Sequence, residues 1–224
     1  MIVVTGACGF IGSRIVEGLF NRGCTDKVVL VDQITDSNVR KISKFPVYDF
    51  LSPSQFLSRV RDITKESTCV FHQGAITDTT HPDVSEIMNM NHVYTKALIS
   101  NCIVGKTRIV YASSAAVYGN GKNGFKEEVA SEAPLNVYGF SKVLIDNWAR
   151  QGNLFDNYDI FGLRYFNVYG MGEGHKENMC SPVLKFFNQA KTSNEINVFK
   201  GSRSFYRDFV AVGYCKHKPS VCIQ

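Results

Sequence analysis

The chain of 224 residues is 44% hydrophobic and 20% charged, which suits one large globular domain, or one domain with an appendage. Its net charge of +5 comes from basic residues scattered without the run or stripe that nucleic-acid binding uses, and it suits an anionic small substrate. Seven cysteines, odd in number and without a C-x-x-C pair, favour reduced thiols in a cytoplasmic compartment over a disulfide framework or a zinc site.

In chain order, "IVVT" (2–5) reads as a buried strand. It is short and has no charged flank, so neither a secretory signal nor a membrane span is expected. The strand runs into "TGACGFIG", and Ile11, Ile15, Val16 and Leu19 then share one helix face. Further strands are expected at "KVVLV" (27–31), "TCVFH" (68–72), "RIVYAS" (108–113) and "DIFGLRYF" (159–166). Helices are expected over 53–66, 83–103 and 138–150. Such alternation implies a doubly wound parallel α/β sheet of Rossmann type. After Phe166 the pattern changes to the Gly-rich, polar "NVYGMGEGHKENM", followed by a helix at 181–191 and a strand at "INVFKG" (196–201). The expected division is a dinucleotide-binding domain at 1–171 and a partial substrate-binding region at 172–224.

Gly6, Gly9 and Gly12 permit a tight turn and close backbone approach, and the helix after them offers N–H groups to a diphosphate. Asp32 ends the second strand, where an acid either holds the adenosine ribose or serves as an ordinary turn residue. Arg40 and Lys41, a little further on, either meet a 2′-phosphate or form a solvated basic turn. In "YGFSK", Tyr138 and Lys142 stand at i and i+4 on one helix face. Ser114, in "YASSAAVYG", lies at the carboxyl end of a strand, the edge where a doubly wound sheet takes its ligands. These three suit hydride transfer, in which the substrate alcohol loses its proton to a phenolate. Making that base at neutral pH costs about 4 kcal/mol, and the expected task of Lys142 is to lower that cost.

With "TGACGFIG", "YASSAAVYG" and "YGFSK" in that order, the sequence resembles the extended short-chain dehydrogenase/reductase family. It looks most like the branch that epimerises carbon six of ADP-heptoses, through "KVLIDNWARQ", "GLRYFNVYG", "EGHKENM" and "FKGSRSFYRDFV". The likeness runs from residue 1 to about residue 212. It implies oxidation at carbon six by tightly held NADP and return of the hydride to the opposite face. One acid/base group would serve each face, Tyr138 on one and Lys176 on the other. The resemblance implies cofactor contacts from Gly6, Gly9, Phe10, Ile11, Gly12, Asp32, Gln33, Arg40, Asn91, Tyr138, Lys142 and Val168. Gln73, Gly74, Ala75, Ile76 and Thr77 would line the nicotinamide side. Ser114, Asn167, Asn178, Lys185, Phe199, Lys200, Gly201, Ser202 and Arg207 would contact the ADP-sugar. Asn91 also has a reading as a structural hydrogen-bonder.

The chain departs from the family at several positions. Gln33 stands where the family often has Asn, "AITDTT" replaces a Cys/Ser-rich loop, and Pro53 replaces a lysine near the cofactor. NAD therefore remains open beside NADP. After "RDFVAV" the family continues with an Asp and a long helical stretch, whereas here "GYCKHKPSVCIQ" follows. The expectation is a shortened substrate region, dinucleotide binding with reduced turnover, and a homo-oligomer in full-length form. Two alternatives stand: another nucleotide-sugar enzyme such as a hexose 4-epimerase, or a dinucleotide-binding remnant without turnover. Ala115 and Ala116, where a dehydratase needs an acid pair, argue against dehydration.

Overall fold

The computed structural model describes residues 1–174, 179–198, 200–202 and 206–217. Six strands form one parallel sheet: β1 (Ile2–Thr5), β2 (Val28–Val31), β3 (Asp49–Leu51), β4 (Cys69–His72), β5 (Arg108–Ser114) and β6 (Ile160–Tyr165). Their order is β3-β2-β1-β4-β5-β6. β1 lies in the middle, with Ile2 opposite Val28 on one side and Cys69 on the other. Both of its faces are covered. Val3 packs in one layer with Val29, Leu98 and Ile99, and Val4 in the other with Ile15, Val16 and Leu30. That burial explains why the strands read as continuous apolar runs rather than alternating ones.

The connections are helical: α1 (Phe10–Asn21), α2 (Pro53–Ser58), α3 (Val60–Lys65), α4 (Val84–Met88), α5 (Tyr94–Gly105), α6 (Val137–Gln151) and α7 (Leu154–Asn157). The single helix expected over 53–66 divides at Arg59, whose backbone leaves the helical region. The one expected over 83–103 contains a π-helical turn, Asn89–Val93, joining α4 to α5. β3 escaped the sequence reading because three residues at a sheet edge leave no periodic signal.

A two-stranded parallel pair, β7 (Asn167–Tyr169) with β8 (Phe209–Ala211), straddles the expected boundary at 171. Between them lies α8 (Pro182–Ser193), and α9 (Val212–His217) then packs against α1. The strand expected at 196–201 is not formed at 196–198, which run outside any regular element. α8 buries none of its side chains, and Phe187 and Phe209 are largely exposed. The order of β1 and β4 around the start of the chain makes a switch point, and the carboxyl edge there opens into a cleft of about 720 Å³.

Candidate active site

The floor of the cleft is the glycine turn. Gly6 has φ +65, and a Cβ on it would stand 2.6 Å from Gly74 N. A Cβ on Gly12 would stand 2.0 Å from Gly6 O, so the helix can reach the turn only without a side chain there. α1 starts immediately after Gly9, which offers no side-chain cap, and its first residues Phe10, Ile11 and Gly12 line the cleft. A helix N-terminus set against a backbone turn without Cβ atoms fits a dinucleotide diphosphate. The Asp32 carboxylate, also in the cleft, accepts Cys8 N–H at 2.7 Å and Gln33 N–H at 2.7 Å.

Of the two basic residues near Asp32, Lys41 faces the cleft and Arg40 does not. Lys41 Nζ donates to Cys8 O at 3.0 Å, and burial pulls its pKa down. Arg40 and Gln33 are exposed and stand outside the lining. On the opposite wall, Gln73, Gly74, Ala75 and Thr77 line the cleft together with Val168. Both polar atoms of the Gln73 side chain are buried without a hydrogen-bond partner.

Asn91 stands outside the cleft lining and makes the structural hydrogen bonds that the second of its two readings expected. It is fully buried, its Oδ1 accepts Ile76 N–H at 2.8 Å, and its Nδ2 donates to Ile76 O at 2.9 Å and to Ser141 Oγ at 3.3 Å. Ser141 Oγ in turn donates to Tyr138 O at 2.7 Å. Asn91 thus ties the 73–77 loop to the helix of the Tyr–Lys pair, and Ile76 is held by its backbone rather than aimed into the cleft. The π turn carrying Asn91 has no apolar period that could announce it.

Ser114, Tyr138 and Lys142 converge on the cleft from β5 and α6. Asn136 caps α6 by accepting Gly139 N–H at 2.8 Å, which fixes where the helix starts. Ser114 Oγ accepts Ala116 N–H at 3.1 Å and hydrogen-bonds to Tyr138 in the sense that favours the phenolate. Burial acts in the opposite sense and is larger, so the phenol's pKa stands above its ordinary value. Lys142 stands one turn further along the same face of α6 and also lines the cleft. Its Nζ lies over the Tyr138 ring, 5.9 Å from the centroid, and burial brings its own pKa down to about 8.

Beneath these residues runs a buried ionic network that the sequence reading missed. Asp146, one turn beyond Lys142, accepts from Tyr111 Oη at 2.8 Å, Ser113 Oγ at 2.9 Å and Arg164 Nε at 3.1 Å. Arg164 also donates to Tyr118 Oη at 2.9 Å and to Glu132, which in turn accepts from Arg150 at 2.9 Å. The network locks α6 to β5 and β6 and so registers Tyr138 and Lys142 against Ser114. Tyr, Asp and Arg at these spacings carry no motif of their own.

A second cleft of about 280 Å³ shares Ser114, Tyr165 and Phe166 with the first. Ala115, Ala116, Asn167 and Arg207 line it. Arg207 donates to Gly119 O at 2.8 Å and lies 4.8 Å over the Phe125 ring. Lys185, on α8, and Lys200, Gly201 and Ser202 line neither cleft. Lys176, Asn178 and Phe199 lie outside the described residues.

A glycine turn at the switch point, facing a Ser–Tyr–Lys centre across one cleft, defines a dinucleotide-dependent enzyme of Rossmann type. Residues 2–213 match the NAD dependent epimerase/dehydratase family, and the chain belongs to it. It is similar to the ADP-L-glycero-D-manno-heptose-6-epimerase of Brachyspira hyodysenteriae, at 41% identity over 220 residues, covering 95% of this chain and 68% of that protein. The crystal structure of the Helicobacter pylori ADP-L-glycero-D-manno-heptose-6-epimerase superposes with a TM-score of 0.80 at 30% identity, covering 96% of this chain and 70% of that one. A UDP-glucose-4-epimerase from Stenotrophomonas maltophila, with bound NAD and formylated UDP-arabinopyranose, shares the fold at 23% identity and a TM-score of 0.77, over 100% and 73% of the two chains. Among the described residues, no helix is long and apolar enough to cross a membrane.

Proposed function

We propose that the protein inverts carbon six of an ADP-heptose by transient oxidation, using a nicotinamide dinucleotide in the larger cleft and the sugar in the smaller one. The observation that carries this reading is Ser114, which lines both clefts and hydrogen-bonds the Tyr138 phenol. A nicotinamide dinucleotide held by the glycine turn, Asp32 and the 73–77 loop would supply the hydride acceptor and donor. Tyr138 takes the hydroxyl proton as the carbonyl forms, Ser114 holds the same oxygen, and Lys142 adds positive charge under the phenolate. Lys176 is the acid/base on the opposite face, so that the returning hydride gives the inverted centre.

Similarity to the Brachyspira and Helicobacter proteins supports the ADP-heptose substrate. Two alanines in the second cleft, Ala115 and Ala116, offer no carboxyl for a dehydration. For the cofactor we favour NADP over NAD. The partly desolvated Lys41 ammonium beside Asp32 gains a partner if a 2′-phosphate is present. Arg207 would reach the ADP diphosphate by exchanging its bond to Gly119 for the ligand. The test is to purify the chain, identify the released nucleotide by mass spectrometry, and assay inversion of ADP-heptose epimers by chromatography. A flavin, or no dinucleotide affinity, rejects the reading.

A further inference from the structure

We infer that His72 is a positioning residue for the dinucleotide cleft, acting through Thr5 to lock the glycine turn against the 73–77 loop. The inference rests on reading the larger cleft as a dinucleotide site. Thr5 ends β1 and His72 ends β4, and the two are register partners on adjacent strands. Both are buried, each 2% exposed. The next residue on each strand leads into a segment lining the cleft, Gly6 on one side and Gln73–Gly74 on the other.

The two segments cross in contact. A Cβ on Gly6 would stand 2.7 Å from Gln73 C and 2.8 Å from Gly74 Cα. The Thr5 hydroxyl sits at this crossing and accepts Gly74 N–H at 3.2 Å. His72 Nδ1 lies 2.6 Å from the same oxygen, which can donate to that nitrogen or accept from it. On the other side of the ring Nε2 lies 2.8 Å from Thr95 Oγ1 on α5, and a neutral imidazole donates at one of its nitrogens and accepts at the other, so both hydroxyls are partnered in either tautomer. The result is a continuous hydrogen-bonded chain from the α5 helix to the loop, through Thr95 Oγ1, the imidazole, Thr5 Oγ1 and Gly74 N–H.

Every member of this chain is buried apart from Gly74, so water does not substitute for a lost partner at low cost. Burial, with the Lys142 charge adding to it, keeps the imidazole neutral, its pKa pulled down to about 3. Both ring contacts are therefore kept over the working range of a neutral-pH enzyme. A histidine serving only to fill the core would need neither hydroxyl, and its loss would move stability without moving the cleft.

The test uses Thr5→Val, Thr5→Ser, His72→Phe and the double variant Thr5→Val/His72→Phe in the full chain. NADPH and NADH binding is followed by reduced-nicotinamide fluorescence, the melting temperature is recorded without ligand, and hydrogen exchange is read at peptides spanning 73–77. Thr5→Val and His72→Phe should each weaken dinucleotide binding about tenfold, the size of one lost hydrogen bond, and should speed exchange at Gly74. Thr5→Ser, which restores the hydroxyl, should bind within about twofold of wild type. The double variant should bind no worse than the weaker single one, because both break the same chain. The Thr5 pair decides the matter even where His72→Phe does not fold. Variants that melt lower yet bind and exchange like wild type overturn the inference. Wild-type protein that binds neither dinucleotide overturns the reading of the cleft, and the inference with it.

Discussion

Alanine at two glycines of the same turn should have very different consequences, ranked by the space the structure leaves. A Cβ at Gly12 would stand 2.0 Å from Gly6 O and 3.1 Å from Ala7 Cα. The nearest atoms are backbone and cannot rotate away, so α1 must back off the turn by about an ångström to restore ordinary contact. At Gly9 the nearest atom is also Gly6 O, but at 3.0 Å, and φ is −69, so an L side chain meets no backbone strain there. Overpacking of the first kind costs about 1–3 kcal/mol. Spent on displacing the helix N-terminus from the diphosphate, that is about 5- to 150-fold in affinity. For Gly9→Ala, a shift of a few tenths of an ångström predicts a loss of about threefold or less. NADPH titration of both variants, with the melting temperature recorded alongside, measures each number. Gly12→Ala binding like wild type, or binding better than Gly9→Ala, would refute the assignment of the turn to the diphosphate.

Tyr138→Phe and Lys176→Met should each lower epimerisation by about 10²- to 10⁴-fold while leaving the dinucleotide bound. With an aldehyde analogue the two should prefer opposite configurations, and a shared preference would reject the two-face assignment. Asp146→Ala removes one of the two carboxylates that hold Arg164, and leaves Tyr111 and Ser113 without an acceptor, all in the interior. It should cost about 3–5 kcal/mol in urea unfolding, and a loss below about 1 kcal/mol would show that the network is not closed as described. His72 has a folded pKa near 3 against an ordinary 6.5, so only the unfolded chain takes up its proton between these values. Stability should be fully present above pH 6.5 and fall by about 1.4 kcal/mol per unit below it from this group. His72→Phe should flatten that slope relative to wild type.

The strands of the main sheet were legible because a parallel sheet covered on both faces writes itself as short runs of Val, Ile and Phe, and β1, β2, β4, β5 and β6 all carry such runs. β3, β7 and β8 are three residues each, too short for any period to register. The glycine turn, Ser114 and the Tyr138–Lys142 pair were legible because their chemistry demands particular residues at particular spacings. Asn91 was legible only as one of two roles, and His72 and the Asp146–Arg164–Glu132–Arg150 network not at all. Their partners lie 15 to 67 residues away along the chain, and only the folded sheet brings them together. Lys41 and Arg40 are adjacent in sequence, and the short 3₁₀ turn Val39–Lys41 decides which one faces the cleft.

The central claim is that a hydride leaves carbon six and returns to it, and solvent isotope incorporation tests this most directly. The chain would be incubated in stoichiometric amount with an ADP-heptose in D₂O, so that even slow turnover registers, and the recovered epimers examined by proton NMR and mass spectrometry. The account predicts the inverted epimer with hydrogen retained at carbon six, because a carbon-bound hydride held by a nicotinamide would not exchange with solvent. Deuterium at carbon six would mean proton abstraction and return from solvent, and would contradict it. So would recovery of the starting epimer alone.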